Sequence, residues 1–265
     1  MKQGPRSPRA AEDPIGGRNA SKCLICRDSV ANDPQPAMGS GTRLVALIGQ
    51  PVARSLSPRM QNAAFAARGL DWAYVACGVA ADHLAEAVRG LAALGFAGAN
   101  VTAPHKLAAA RLVHAEVRSV NTIVFRDGRA EGSSTDAAIL RGLAVAHPAI
   151  IGDGGSATAF AEALPGARQF ARRGTWPPDV DGADVVINAT SARDEVLVKL
   201  QPGQTLIELP YPDSATAVAA RAAGATVIGG LEILVAQGAA AFGLWTGVTA
   251  PVEVMRAAVG LSSEP

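Results

Sequence analysis

From Thr42 onward the chain alternates short apolar runs with alanine-rich segments, and this alternation limits the possible fold more than any other feature. Strands are predicted in the runs LVALIG, WAYVAC, AIIG, DVVINAT and TLIEL. The segments between most of them predict helices. Strands that alternate with helices at this spacing form mostly parallel sheets, because each helix returns the chain across one face of the sheet. We therefore predict an α/β fold.

Two successive series of strands and helices predict two α/β domains with a cleft between them. The first series covers residues 42–138 and the second covers residues 139–237. No strand signal separates the last two predicted helices, so residues 238–265 are expected to pack back on the first domain. The fold class is α/β, with a mostly parallel N-terminal domain and a second, reduced one.

Residues 1–41 are predicted to be a flexible N-terminal extension. They are rich in Gly, Pro, Ser, Asn and charged residues and show no strong periodicity. Cys23 and Cys26 form a single CxxC pair within this stretch. A zinc site usually needs a second pair of ligands, so chance spacing is the preferred interpretation and no metal is expected.

The composition excludes several classes of partner. A formal net charge of +1 and the lack of a basic stripe argue against nucleic-acid binding. No apolar run reaches the length of a membrane span, and three cysteines do not form a disulfide framework. We expect a cytoplasmic protein that acts on a small molecule, and the sequence leaves monomer and homodimer open.

Residues 49–65, GQPVARSLSPRMQNAAF, predict an anion site at the start of a helix. Ser57 stands where an N-cap belongs, Pro58 suits the first helical position, and Gly69 can end the helix. Free backbone N–H groups favour a carboxylate or phosphate there, and the hydroxyls of Ser55 and Ser57 add donors. On these residues alone, a plain helix cap remains the alternative.

A second candidate site is NVTAPHK, which ends a strand and opens a helix at Pro104. Lys106 is then placed in the first helical turn, where the helix dipole disfavours a cation. Tolerance of that cost indicates a role in proton transfer, although an exposed lysine is the alternative. Asp136 is predicted in the first turn of a later helix, where ordinary dipole compensation also explains it.

Two amides stand in apolar surroundings and need hydrogen-bond partners. Asn121 lies in the β-branched run SVNTIVF, and Gln237 lies in the apolar helix LEILVAQGAAAF. A buried amide finds its partners in the protein or in a ligand. For each residue alone, internal hydrogen bonding is the preferred explanation.

The segment IIGDGGSATAF follows a strand and opens a helix, as a dinucleotide-binding turn does. Gly152, Gly154 and Gly155 supply the glycines, although Asp153 places a carboxylate beside the expected pyrophosphate. Twenty residues after Gly152, where NAD-binding folds carry an acid, the chain has Arg172 and Arg173. Two arginines there favour the 2′-phosphate of NADP. A tight turn with solvated arginines is the alternative.

Taken in order, these segments resemble the shikimate dehydrogenase family over residues 44–245. The matching segments are GQPVARSLSP, NVTAPHK, SVNT, SSTDA, GDGGSA, NATS, ELPYP and GGLEILVAQGAAAFGLWTG. The resemblance implies a substrate domain, a Rossmann-like NADP-binding domain, and reversible reduction of 3-dehydroshikimate to shikimate in aromatic amino acid biosynthesis. The cofactor would carry the hydride.

The resemblance also implies a role for each matching residue. Lys106 and Asp136 would form the catalytic pair, with the ammonium polarising and protonating the developing alkoxide. The substrate would be bound by Ser55, Ser57, Thr102, Asn121, Tyr211 and Gln237. The cofactor would be bound by Gly152, Gly154, Gly155, Ser156, Arg172, Arg173, Asn188, Thr190 and Gly230.

The cofactor half departs from the family pattern. Residues 174–183 are too few and too rich in proline for the helix and strand that normally follow, so one βα unit is predicted to be missing. The family's Asn-Arg-Thr phosphate segment is replaced by Ala171, Arg172 and Arg173. Two alternatives follow: a quinate/shikimate dehydrogenase that prefers NAD, or a non-catalytic protein that binds a shikimate-type ligand.

Overall fold

The computed structural model describes Met1 and residues 38–261. Most of the predicted N-terminal extension, including Cys23 and Cys26, therefore lies outside the described residues. Within residues 38–261, no helix is both long and apolar enough to cross a membrane.

The first sheet has five strands in the order β2-β1-β3-β4-β5. Their bounds are β1 Arg43–Gly49, β2 Trp72–Gly78, β3 Gly98–Val101, β4 Thr122–Arg126 and β5 Arg129–Ser133. β1 pairs in parallel with β2 and β3, as predicted. β4 and β5 form an antiparallel hairpin, which makes the sheet mixed. The hairpin turns at Asp127 and Gly128, which both have positive φ, as a two-residue turn requires.

Helices cover both faces of this sheet. They are α1 Ser57–Ala67, α2 Leu84–Ala93 and α3 Lys106–Ala109, followed late in the chain by α6 Gly230–Thr246 and α7 Val252–Ala258. Phe65 of α1, Phe242 of α6 and Met255 of α7 share one buried cluster with Val45 of β1. The last two helices therefore pack back on the first domain, as predicted.

The start of α1 differs from the prediction by one residue. Leu56, not Ser57, is the N-cap, and it makes no side-chain capping bond. The Ser55 hydroxyl instead accepts a hydrogen bond from the backbone N–H of Ser57 at 3.2 Å. Ser57 is therefore the first helical residue, and its own hydroxyl is not used as a cap. The helix ends as predicted, with Gly69 at a φ of 64°.

The second sheet is parallel throughout, in the order β10-β9-β8-β6-β7. Its strands are β6 Pro148–Ile151, β7 Arg168–Phe170, β8 Val185–Asn188, β9 Thr205–Glu208 and β10 Thr226–Ile228, and its helices are α4 Gly155–Ala163 and α5 Ala215–Ala222. The chain runs from β6 to β7 on one side and then crosses to β8 on the other. Ligands of parallel α/β sheets bind at such a reversal, beyond the carboxyl ends of the strands.

The second sheet lacks the βα unit that the short spacing predicted to be absent. Residues 171–184, all described, contain neither helix nor strand. β7, three residues long, is consequently the edge strand. Trp176, from this loop, packs against the buried cluster that holds Phe170 and Leu197. An indole ring thus occupies part of the space beside the shortened edge.

Candidate active site

A cavity of about 170 Å³ lies between the carboxyl ends of the two sheets. It brings together all the residues that the sequence analysis assigned to catalysis or substrate: Ser55, Ser57, Thr102, Lys106, Asn121, Asp136, Tyr211 and Gln237. Gly230 and Ser156, assigned to the cofactor, also line it. Residues as far apart in the sequence as Ser55 and Gln237 therefore meet at one site.

Lys106 and Asp136 form an ion pair in this cavity. The Lys106 Nζ lies 2.8 Å from Oδ1 and 2.6 Å from Oδ2 of Asp136. Their side chains are only 12% and 9% exposed. Lys106 is the first residue of α3, and Asp136 is the first residue of a 3₁₀ turn, Asp136–Leu140, that follows β5. The pair meets the distance required for a shared role in proton transfer.

Asn121 fixes the aspartate in place. Its Nδ2 donates to Oδ1 of Asp136 at 2.8 Å, and its Oδ1 accepts from the backbone N–H of Thr135 at 2.8 Å. The Thr135 hydroxyl makes no helix-capping bond and contacts Asn121 instead. Because the amide is buried and bonded at both ends, it holds the segment that carries Asp136 against the end of β3 and the start of β4.

Gln237, on helix α6, lies close to the Asn121 side chain. Its Oε1 lies 3.4 Å from the Nδ2 of Asn121, and its Nε2 donates to the carbonyl of Leu234 at 2.9 Å. Both amides therefore have partners within the protein, as the preferred explanation expected, and both also line the cavity.

Asn100 and Tyr74 extend this polar wall, and the sequence analysis assigned neither. The Tyr74 hydroxyl donates to Oδ1 of Asn100 at 2.8 Å, and Asn100 lines the cavity. Burial raises the pKa of the Tyr74 phenol, while a hydrogen bond with Ser57 acts in the opposite direction. Asn100 could have been found by the reasoning used for Asn121, since it is a buried asparagine that lies inside the apolar strand β3.

A second cavity of about 430 Å³ adjoins the first on the side of the parallel sheet. Thr102, Lys106 and Ser156 line both cavities. The glycine turn between β6 and α4 forms its wall, with Gly152 at a φ of 128°. A Cβ on Gly154 would meet nothing within 4 Å, so the backbone there is open to a ligand.

These features fit the pyrophosphate of a dinucleotide. The nine-residue helix α4 begins at this wall, so its free N–H groups and dipole favour an anion. Asp153 also lines the cavity, so a pyrophosphate bound there would meet the like charge that the sequence predicts. The donor set thus fits a nucleotide coenzyme, with one acidic neighbour.

A third cavity of about 330 Å³ continues from the glycine turn to the shortened edge of the sheet. Arg172, Arg173 and Trp176 line it together with Thr190. The Arg172 guanidinium lies 4.8 Å above the Trp176 ring and pairs with the Glu195 carboxylate. Sequence reasoning missed both partners of this arginine. Arg172 thus lines this cavity but already has an anionic partner.

Asn188 lies under the site and does not line these cavities. Its Nδ2 donates to both carboxyl oxygens of Glu208, at 3.0 and 3.1 Å, and its Oδ1 accepts from the Thr190 hydroxyl at 2.8 Å. Burial raises the pKa of the Glu208 carboxyl, and the bond from Asn188 partly offsets this. Asn188 therefore orients Thr190, which faces both nucleotide-side cavities.

Among the residues that the structure describes, no group of three or more His, Cys, Asp or Glu side chains could hold a metal ion. The polar chemistry of the site rests on the lysine, the aspartate and their amide and hydroxyl neighbours.

A lysine–aspartate pair that faces a glycine turn at the reversal point of a parallel sheet defines a two-domain, nucleotide-dependent dehydrogenase. Two family models match the chain: the shikimate dehydrogenase substrate binding domain over residues 47–123, and the shikimate 5'-dehydrogenase C-terminal domain over residues 230–259. NADP-dependent shikimate dehydrogenase of Moorella thermoacetica is 41% identical, with 84% of this chain and 96% of the relative covered. The chain belongs to the shikimate dehydrogenase family.

Solved structures agree with this assignment. Shikimate dehydrogenase from Aquifex aeolicus superposes with a TM-score of 0.76 at 28% identity, covering 84% of this chain and all of that one. The Thermus thermophilus enzyme, in complex with NADP(H) and shikimate, gives 0.73 at 27% identity, covering 82% and 98%. The alignment with the Moorella relative is 283 positions long, whereas this chain has 265 residues. It therefore includes positions of the relative without a counterpart in this chain.

Proposed function

We propose that this chain catalyses the reversible reduction of 3-dehydroshikimate to shikimate with NADP as coenzyme. The observation that carries the proposal is the Lys106–Asp136 pair, held at 2.6 Å in a cavity shared by the two sheets. The relative from Moorella thermoacetica is named as an NADP-dependent shikimate dehydrogenase. The cavity on the coenzyme side also has a lining that fits a nucleotide.

Lys106 is the proposed proton donor to the carbonyl oxygen and the acceptor in the reverse direction. Its ammonium stabilises negative charge that develops on that oxygen, and Asp136 holds the ammonium in position. Asn121 keeps Asp136 oriented through the 2.8 Å hydrogen bond. When bound, the nicotinamide supplies the hydride chemistry.

Ser55 and Ser57 are the proposed site for the substrate carboxylate. Both line the cavity at the N-terminal end of α1, where helix N–H groups favour an anion. Thr102, Asn121 and Gln237 are proposed to bind the ring oxygens. Tyr211 is proposed to contact the substrate from another wall of the same cavity. Six substrate contacts would then surround a ring presented to Lys106.

The coenzyme is proposed to follow the two nucleotide-side cavities. The glycine turn, with Ser156, would hold the pyrophosphate, while Arg172 and Arg173 would face the 2′-phosphate. Thr190 and Gly230 would border the nicotinamide, with Asn188 acting from beneath. A Cβ on Gly230 would lie 2.5 Å from the carbonyl oxygens of Leu209 and Pro210, so only glycine fits there.

The proposal is tested by mixing the purified full-length chain with shikimate and NADP and recording the absorbance of reduced coenzyme. We expect reduction that depends on both ligands. If neither NADP nor NAD is reduced, the proposal is wrong. Calorimetry with each ligand separately then distinguishes a binding protein, since shikimate would bind without coenzyme if the shortened half no longer holds a nucleotide.

A preference for NAD is the second candidate, and the pairing of Arg172 with Glu195 favours it. An arginine that already neutralises a carboxylate offers less attraction to a 2′-phosphate. Initial rates with NADP and NAD at equal concentrations decide between the two coenzymes. A clear advantage of NADP rules this candidate out.

A further inference from the structure

We propose that Ser156 is a positioning residue for proton transfer, which holds the Lys106 ammonium from the coenzyme half until the substrate oxygen takes its place. This inference rests on the proposed function and assigns Ser156 a different role from the phosphate contact that the glycine turn implies. The Lys106 Nζ donates to the Ser156 Oγ at 2.9 Å.

Three protein oxygens lie within hydrogen-bond distance of the lysine ammonium. Two belong to the Asp136 carboxylate and the third is the hydroxyl of Ser156. An ammonium has three N–H groups, so these oxygens match its donor capacity. A substrate oxygen that receives a proton from Nζ must therefore displace or share one of them.

The hydroxyl is the contact that costs least to displace. Hydrogen bonds from an ammonium to a carboxylate are stronger than those to a neutral oxygen, because both partners are charged. Ser156 also lines both the substrate cavity and the adjoining nucleotide cavity, so its hydroxyl stands where the two ligands would meet. During the exchange Ser156 neither gains nor loses a proton.

The backbone of α4 is shaped for this contact. A Cβ on Gly155 would lie 2.6 Å from Cβ and 3.1 Å from Cδ of Lys106, so glycine allows the lysine stem to run directly against the start of the helix. The next residue, Ser156, then reaches the ammonium. The hydrogen bond joins the two halves of the site. Lys106 lies on α3, which follows a strand of the first sheet, and Ser156 lies on α4, which follows a strand of the second sheet.

The test compares Ser156→Ala with Ser156→Thr, which keeps the hydroxyl, in steady-state assays of the full-length chain. For the alanine variant we expect kcat to fall about 5- to 10-fold, because the ammonium loses its preferred orientation. The KM values for shikimate and NADP should stay within about 2-fold of the wild-type values. We also expect a larger solvent deuterium isotope effect on kcat. The threonine variant should keep most of the activity.

Other results overturn the proposal. A raised KM for NADP with kcat preserved assigns Ser156 to the coenzyme phosphate, and unchanged kinetics assign it no role. A fall in kcat without a larger isotope effect, or one that threonine does not prevent, indicates a purely structural role.

A second measurement does not depend on turnover. Acetylation of the chain, followed by mass spectrometry, should label Lys106 several-fold faster in Ser156→Ala than in the wild type, because one oxygen fewer holds its N–H groups. The exposed Lys199 serves as the internal control and should react equally in both. Equal labelling of Lys106 contradicts the proposed contact. If the wild type shows no turnover, the proposed function fails while this measurement still tests the contact.

Discussion

At the scale of single residues, the site depends on a few polar side chains that have a protein partner on one side and a cavity on the other. Lys106 and Asn121 drew attention from their local sequence, because each residue type is unusual in its predicted element, whereas the role of Asp136 was implied by the family resemblance. Their mutual contacts were not predictable in that way. The bond between Lys106 and Ser156 joins positions 50 apart, and the pair of Arg172 and Glu195 joins positions 23 apart.

Ser57→Ala tests the carboxylate site. Since the Ser57 hydroxyl is not consumed by helix capping, its removal should raise the KM for shikimate roughly 10-fold or more, as expected for a lost bond to a charged group. kcat should change little. Steady-state kinetics measure both, with the exposed Ser40→Ala as control. A wild-type KM would remove Ser57 from the substrate site.

Glu195→Gln tests whether the carboxylate competes with the coenzyme for Arg172. Release of the arginine should raise the ratio of kcat/KM for NADP to that for NAD by about 2- to 5-fold, because an exposed ion pair is worth little. The pair Arg118–Glu162 is exposed on its arginine side and lies away from these cavities, so Glu162→Gln is the matched control. An unchanged ratio in Glu195→Gln would show that the pair does not influence coenzyme choice.

At the scale of elements, the parallel strands and long helices followed from their apolar periodicity, whereas the short polar elements did not. The β5 strand, RAEGS, lacks an apolar face, and only the Asp127–Gly128 turn signals its hairpin. Helix α3 has just four residues, so a dipole argument for Lys106 carries little weight. Tertiary pairing and packing, which a local pattern does not contain, decide these elements.

The close approach of α3 to α4 leads to a prediction at this scale. Gly155→Ala should lower the free energy of unfolding by about 1–3 kcal/mol, because the new Cβ would overlap the Lys106 stem. Gly154→Ala is the matched control for stability, since its Cβ meets nothing within 4 Å. Urea unfolding of both variants measures the difference. Equal stabilities would mean that the lysine stem does not lie against this helix.

At the scale of the whole molecule, the order of elements and the missing βα unit were predictable, because both follow from the spacing of strands along the chain. The hydrogen-bonded order of strands was not, since the crossing from β7 to β8 depends on packing of the complete sheet. Trp176 illustrates the same limit. The sequence shows only an aromatic residue in a proline-rich loop, whereas the structure shows that it packs against the core of the second domain.

Glu208→Gln tests the pH dependence of folding. Burial raises the pKa of this carboxyl, so its contribution to stability is complete below the unfolded value of 4.5 and is lost as the pH rises through the folded pKa. We expect the wild type to lose stability relative to the glutamine variant as the pH increases above 4.5. Urea unfolding at several pH values measures this. Parallel curves for the two proteins would contradict it.

The central claim is that the Lys106 amine and the Asp136 acid act together on a cyclic hydroxy acid opposite a nicotinamide. Its most direct test is the turnover of Lys106→Ala, measured beside the affinity of the same variant for shikimate. We expect kcat to fall about 10²- to 10⁴-fold, with the Kd for shikimate changed far less. Turnover at the wild-type rate, or a loss explained by shikimate affinity alone, would contradict it.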